Sequence, residues 1–308
     1  MSILVVGSVA LDTVETPFGR ADRVLGGSAN YFAAAASLFA PVQLVGVVGE
    51  DYPMERMAFL EQRGVDLSGI ERASGDSFFW KGRYHYDLNS RDTIWTRLGV
   101  FADFHPHIPD GFRDARVVFL GNIDPVLQWD VLEQVRAPEL VACDTMNYWI
   151  EGSRDALLRL LERVQILMVN DAEIRQLADE PNLLRAARWV QARGPEYVVV
   201  KKGEHGAILY GPDWIFFAPG YPLEEVFDPT GAGDAFAGGF LGALAREPGR
   251  EREAYRRAMV YGCAAGSYAV ERFSVDRFRD LTLFELARRV EEFRDMTLFE
   301  HELEDEGG

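Results

Sequence analysis

The residues best equipped for chemistry lie in one run, Phe227–Phe240, which reads FDPTGAGDAFAGGF. Pro229 biases Asp228 towards extended backbone. Gly231, Ala232 and Gly233 then permit a tight turn whose backbone amides stay exposed. Asp234 falls in the first turn of the small-residue helix that follows. Free N–H groups at a helix start form an anion site. A carboxylate fixed beside it can take a proton from an attacking hydroxyl, while the amides stabilise charge on a transferring phosphoryl group. The plainer alternative is a glycine turn in which Asp234 only caps the helix, and one glycine pattern alone does not separate the two.

The remainder of the chain bears on that choice. DPTGAGDAFAGGF resembles the C-terminal signature of the ribokinase-like, or PfkB, family of carbohydrate and nucleoside kinases, and further landmarks follow in the family's order over essentially the whole chain. The resemblance implies ATP-dependent phosphorylation of a hydroxyl on a sugar-like acceptor. It makes Asp234 the catalytic base and Gly231, Ala232 and Gly233 the anion hole. It assigns acceptor binding to Asp12 and to Gly26, Gly27 and Asn30 of the GGSAN segment. Asp accepts and Asn both donates and accepts, a sound pairing for the hydroxyls of a polyol. Read alone, GGSAN is a glycine turn and a helix cap.

Six more segments follow the same resemblance. Asn170 and Glu173 match a motif that organises magnesium and phosphate, with Glu173 acting partly through water, as suits an ion that keeps its hydration. The same spacing is a capping box, and the two roles are compatible. Lys201, Gly203 and Gly206 match the nucleotide loop, with Lys201 standing where threonine is usual. Lys201 either neutralises phosphate charge or reaches solvent from a strand end. His205 between them reads as a solvent-facing turn residue. Asp228 with Thr230 falls where many relatives place a monovalent cation, which makes potassium a candidate cofactor beside ATP and magnesium. Gly46–Asp51 matches a glycine block of the family, although Met54 replaces an expected glycine. Asp144 and Asn147 resemble another block, in which Trp149 replaces an arginine. The helix around Cys263–Val270 borders adenine in the family, but its ERFS ending departs from the pattern and no adenine contact is assigned.

These residues need a scaffold, and apolar runs supply one. Segments 3–9, 42–48, 116–120, 140–144, 165–169 and 197–201 read as buried strands of a parallel sheet. Helices are expected at 28–39 with Ser28 as cap, at 53–63 from Pro53, and at 154–163 and 182–193. Residues 207–210 and 214–218 read as a hairpin, followed by helices at 234–246, 251–270 and 282–294. The acidic end, 301–308, is expected to fray. The rhythm is α/β: one doubly wound, mostly parallel domain over 1–308, interrupted by a small antiparallel β lid. The lid is placed at roughly 77–97, with a turn near Asp87–Ser90, and 13–25 is a second candidate contribution. Its aromatics, among them Phe78, Phe79, Trp80, Tyr84, Tyr86 and Trp95, read as a face packed on the main domain or on a partner lid, in a homodimer. The other reading is a platform for a nucleobase or sugar ring.

Composition narrows the classes. The chain has 308 residues, 48% apolar and 26% charged, enough for a large core and unlike a disordered segment. A net charge of −17 argues against broad nucleic-acid binding. No apolar run has the ~18–20 residues of a membrane helix. MSILVVGSVALDT lacks a basic n-region, which argues against a cleaved secretory signal and for a cytoplasmic enzyme. Cys143 and Cys263 are far apart with no CxxC, so two reduced buried thiols are expected. The main expectation is a kinase acting on a small sugar or polyol, with a nucleoside kinase as the alternative. A non-catalytic ligand sensor on the same fold would have no need of Asp234. A nicotinamide oxidoreductase fails because GSVALD, not GxGxxG, follows the first strand.

Overall fold

The computed structural model describes residues 2–247 and 249–298, so the acidic end at 301–308 lies outside the described residues. Strands β1 (Ile3–Val6), β4 (Val42–Val48), β5 (Val65–Arg72), β8 (Val117–Leu120), β9 (Leu140–Asp144), β10 (Ile166–Asn170), β11 (Tyr197–Lys201), β12 (Ala207–Tyr210) and β13 (Ile215–Ala218) form one sheet. Its order is β13-β12-β11-β10-β9-β8-β1-β4-β5. All pairs are parallel except those of the β11-β12-β13 meander. Side chains alternate across the sheet, so Ile3 and Val5 enter one apolar cluster while Leu4 and Val6 enter the other. Both faces are therefore covered, as a parallel sheet requires.

One face is covered by α1 (Ser28–Ala36), α2 (Ala58–Gln62), α8 (Ala232–Arg246), α9 (Arg252–Ala269) and α10 (Leu283–Thr297). The other is covered by α3 (Pro125–Gln134), α4 (Asn147–Gly152), α5 (Arg154–Leu161), α6 (Asp171–Ala178) and α7 (Leu183–Gln191). Small residues let α1, α8 and α9 approach closely. A Cβ on Gly238 would lie 2.3 Å from the Phe32 carbonyl oxygen of α1, and one on Gly239 would lie 2.6 Å from the Ala265 Cβ of α9.

The second sheet has the order β3-β2-β6-β7, built from β2 (Ala10–Thr16), β3 (Gly19–Gly26), β6 (Phe78–Tyr84) and β7 (Arg91–Arg97). Residues 13–25 and 77–97 thus share one sheet. It is not wholly antiparallel: β2 pairs with β6 in parallel. The chain reaches β6 through β4, α2 and β5, a crossover long enough for parallel pairing. Asp87 closes the β6–β7 turn by accepting from the Asn89 amide at 3.2 Å and the Ser90 amide at 3.0 Å.

Other departures from expectation are local. Ser28 does not cap α1. Gly27, at φ +90°, is the cap residue, and the Ser28 hydroxyl instead meets the Ser8 amide and hydroxyl, each at 3.2 Å. The expected helix at 53–63 divides into a 3₁₀ turn, Met54–Met57, and the short α2. Strand β5 carries no strong sequence signal because it is an edge strand with a half-exposed, mixed face. Both cysteines are buried and free.

Candidate active site

Parallel pairing brings the carboxyl ends of β1, β8, β9, β10 and β11 to one edge of the main sheet, where α8 also begins. Gly231 is the N-cap of α8, at φ +74°. A Cβ there would fall 2.2 Å from the Tyr31 ring, so shape and backbone both demand glycine. The preceding loop is braced from within by Asp228, which is fully buried. One Asp228 oxygen accepts from the Thr230 amide at 2.8 Å, and the other from the Ser274 amide at 3.2 Å. The Ser274 hydroxyl in turn donates to the Leu25 carbonyl at 2.5 Å.

Asp234 stands half-buried in the first turn of α8, and no hydrogen bond engages its side chain among the described residues. Burial pushes its pKa up to about 7, with Asp144 adding to the rise and Lys201 and Arg91 opposing it. At the end of β9, the buried Asp144 accepts from Lys201 Nζ at 2.7 Å. Burial works against the Lys201 charge, but Asp144, Glu173 and Asp234 outweigh it and raise its pKa. The lysine is therefore not a strand-end residue reaching solvent. Its side chain is 16% exposed and its Nζ would lie 3.2 Å from a Cβ on Gly233, directly against the start of α8.

Glu173 completes the capping box of α6. It receives the Asn170 amide at 2.7 Å while Asn170 Oδ1 receives the Glu173 amide at 2.8 Å. Burial, reinforced by Asp144, raises its pKa to about 7. Capping leaves one Glu173 oxygen uncommitted. Among the described residues no three His, Cys, Asp or Glu side chains converge as a complete metal cage. Asp144 and Glu173 fit a hard cation that keeps waters and takes other ligands from phosphate oxygens.

On the other side of Asp234, β2 carries Asp12, which is 4% exposed. Burial, with Asp228 and Asp234 nearby, pushes its pKa up to about 8. A Cβ on Gly26 would sit 2.0 Å from Asp12 Oδ2, and one on Gly27 2.4 Å from the Ser8 carbonyl oxygen. Asn30 donates to the Gly26 carbonyl at 2.7 Å and to the Tyr52 hydroxyl at 2.8 Å. Its Oδ1 and the Tyr31 hydroxyl are buried with no partner among the described residues. From the second sheet, the buried Tyr84 hydroxyl comes within 3.2 Å of Thr230 Oγ1. Gly203 and Gly206, at φ +56° and +85°, shape the loop after β11.

Asp144, Glu173 and Lys201 thus lie close enough to Asp234 to act on its charge, and Asp234 and Asp228 both act on that of Asp12, so the group runs from the carboxyl edge of the main sheet to β2 of the second. Asp51 stands apart: it holds the Ser77 amide at 2.8 Å and Arg23 at 2.8 Å, tying the 46–51 block to the second sheet. His205 is mostly exposed. Sequence reading missed Tyr31, Tyr52 and the placement of Arg91. None lies in a motif, although the Asp87–Ser90 turn signal implies the observed pairing of Tyr84 with Arg91.

Chemistry and comparison converge here. The chain is 32% identical over 252 residues to a cytidine kinase of Thermococcus kodakarensis, covering 80% of this chain and 89% of that one. It is similar in fold to a Burkholderia thailandensis nucleoside kinase solved with inosine, with a TM-score of 0.77 and 21% identity, covering 94% and 98% of the two chains. It is also similar in fold to a double mutant of Vibrio cholerae fructokinase solved with fructose, ADP and a potassium ion. There the TM-score is 0.77 at 18% identity, over 93% and 97% of the chains. The pfkB family carbohydrate kinase model matches residues 2–279. The chain therefore belongs to the pfkB family of carbohydrate kinases, enzymes that pass a phosphoryl group to a hydroxyl.

Proposed function

We propose that this kinase transfers the γ-phosphoryl group of ATP to a hydroxyl of a small, uncharged, hydroxyl-rich acceptor, with a nucleoside as the first candidate. The observation that carries the reading is an unengaged Asp234 carboxylate, poised near neutrality, at a helix start where the Gly231 and Gly233 amides have no partner among the described residues and the Ala232 amide donates to the Pro229 carbonyl at 3.3 Å. A nucleoside is favoured by the likeness to a cytidine kinase. A free sugar or polyol is the second reading, favoured by the fold shared with a fructose-bound kinase.

Asp12, Gly26, Gly27 and Asn30 hold the acceptor's hydroxyls, and the unpartnered Asn30 Oδ1 and Tyr31 hydroxyl supply further polar contacts. Asp234 takes the acceptor proton as the oxygen attacks. The amides of Gly231, Ala232 and Gly233 receive the charge on the transferring group. Lys201 and the backbone at Gly203 and Gly206 line the nucleotide side. Asn170, Glu173 and Asp144 are the residues that would hold magnesium, Glu173 through water. That ion, when bound, supplies positive charge to the phosphate oxygens. Asp228 belongs to the candidate potassium site, where its oxygens hold the loop that would present backbone carbonyls. The second sheet acts as the lid that excludes water during transfer.

ADP release with magnesium-ATP, measured against cytidine, other nucleosides, sugars and polyols, tests the assignment. Asp234→Asn is expected to bind ATP normally by calorimetry and to lose on the order of 10²–10⁴ in kcat. Near-normal turnover in that variant overturns the mechanism.

A further inference from the structure

Asparagine has two hydrogens to donate on Nδ2 and accepts at Oδ1. Asn30, fully buried in α1, has spent both hydrogens inside the protein. One goes to the Gly26 carbonyl at 2.7 Å and the other to the Tyr52 hydroxyl at 2.8 Å. A carbonyl oxygen only accepts, so the Gly26 bond alone decides which end of the amide is nitrogen. What Asn30 has left to offer is Oδ1, buried without a partner among the described residues. An unpaired buried acceptor is costly, and this one calls for a ligand that brings a hydrogen to it. Tyr52 is itself firmly held. Its ring is 3% exposed, in the apolar cluster that also contains α1. The preceding Asp51 grips the Ser77 amide at 2.8 Å and the Ser77 hydroxyl at 2.7 Å. Burial raises the Tyr52 pKa above the ordinary tyrosine value, against the opposing bond from Asn30, so the ring oxygen stays a neutral hydroxyl.

We infer that Tyr52 is a positioning residue that sets the polarity of acceptor recognition: by taking the second Asn30 hydrogen it leaves only the amide oxygen to face the acceptor, whose group at that point must donate. This rests on the placing of Asn30 in the acceptor site proposed above. A hydroxyl or a neutral amine satisfies Oδ1. An ether oxygen, a carbonyl or a fluorine would face it with no hydrogen between them, and is refused. Without the Tyr52 hydroxyl, Nδ2 would keep a hydrogen to spare, and Asn30 could serve donors and acceptors alike. The selectivity therefore comes from a residue that touches no substrate.

Two measurements test this. Initial rates with magnesium-ATP are taken on cytidine and on its deoxyfluoro and deoxyamino forms at the 2′ and 3′ positions, in wild type and Tyr52→Phe. In wild type, fluorine at one of the two positions is expected to raise KM ~10-fold or more, while the amine at that same position stays within about threefold of cytidine. In Tyr52→Phe that fluorine penalty shrinks, with kcat on cytidine and KM for ATP unchanged. Fluorine tolerated at both positions, or a penalty of the same size in the variant, overturns the inference. Side-chain hydrogen exchange needs no acceptor. The chain has six asparagines, so ¹⁵N-asparagine labelling resolves the Asn30 amide, assigned by its loss in Asn30→Ser. Both Asn30 hydrogens are expected to exchange ~10-fold or more slowly than those of the exposed Asn147, and one of the two to lose that protection in Tyr52→Phe. Two hydrogens equally protected in the variant overturn the role of Tyr52. A wild type silent on cytidine removes the nucleoside reading, and the exchange result then judges Tyr52 by itself.

Discussion

At the scale of single residues, burial makes Asp12, Asp228, Glu173 and Asp234 hold protons more tightly than carboxylates in water do. Asp234, pushed up to about 7, is the one to which the proposed transfer assigns the acceptor's proton. Asp144 and Glu173 face it from the nucleotide side, Asp12 from the acceptor side, and Lys201 and Arg91 bring the positive charge. A protonated Asp234 cannot act as base, so kcat/KM is expected to fall as pH drops through about 7. A profile flat from pH 8 to 5 would contradict that role. Much of this residue set was legible beforehand, because Asp12, Asn30, Glu173, Lys201 and Asp234 sit in short patterns. The partners that set their behaviour were not. The Asp144–Lys201 pair joins residues 57 apart in sequence, and Tyr52 reaches Asn30 across 22. Such pairings are fixed by strand order, which no local pattern records.

At the scale of elements, α8 decides whether the site is assembled. Its Gly238 faces the carbonyl of Phe32 in α1, the helix that also carries Asn30 and Tyr31. Gly238→Ala would force α1 and α8 apart, and overpacking of this kind typically destabilises by about 1–3 kcal/mol. The expected outcome is a lower Tm together with a raised KM for the acceptor. A variant with wild-type Tm would show that the seam yields without strain. Buried strands and long helices were readable from apolar runs and spacing. The mixed β5 was not, because an edge strand need not alternate cleanly. Nor was the parallel pairing of β2 with β6, which depends on the crossover between them rather than on either strand's own residues.

At the scale of the whole molecule, the second sheet leaves β7 as an open edge, exposed along its length except at Arg97. Ile94 and Trp95 on that strand are 47% and 50% exposed, and an uncovered edge of this kind invites another strand. Light scattering at micromolar concentration is expected to give twice the chain mass, and Ile94→Lys to return the monomer. A monomeric wild type removes the lid-to-lid dimer. Two long-range bonds have a different consequence. Ser274 holds the Leu25 carbonyl across 249 residues, and Arg63 holds that of Leu281 across 218. During synthesis all nine strands of the main sheet have emerged before Ser274 or Leu281 exists. A nascent chain can therefore own all its main-sheet strands while the loop around Asp228 still lacks its brace from Ser274, so that loop is fixed late, with contacts that close the longest loops.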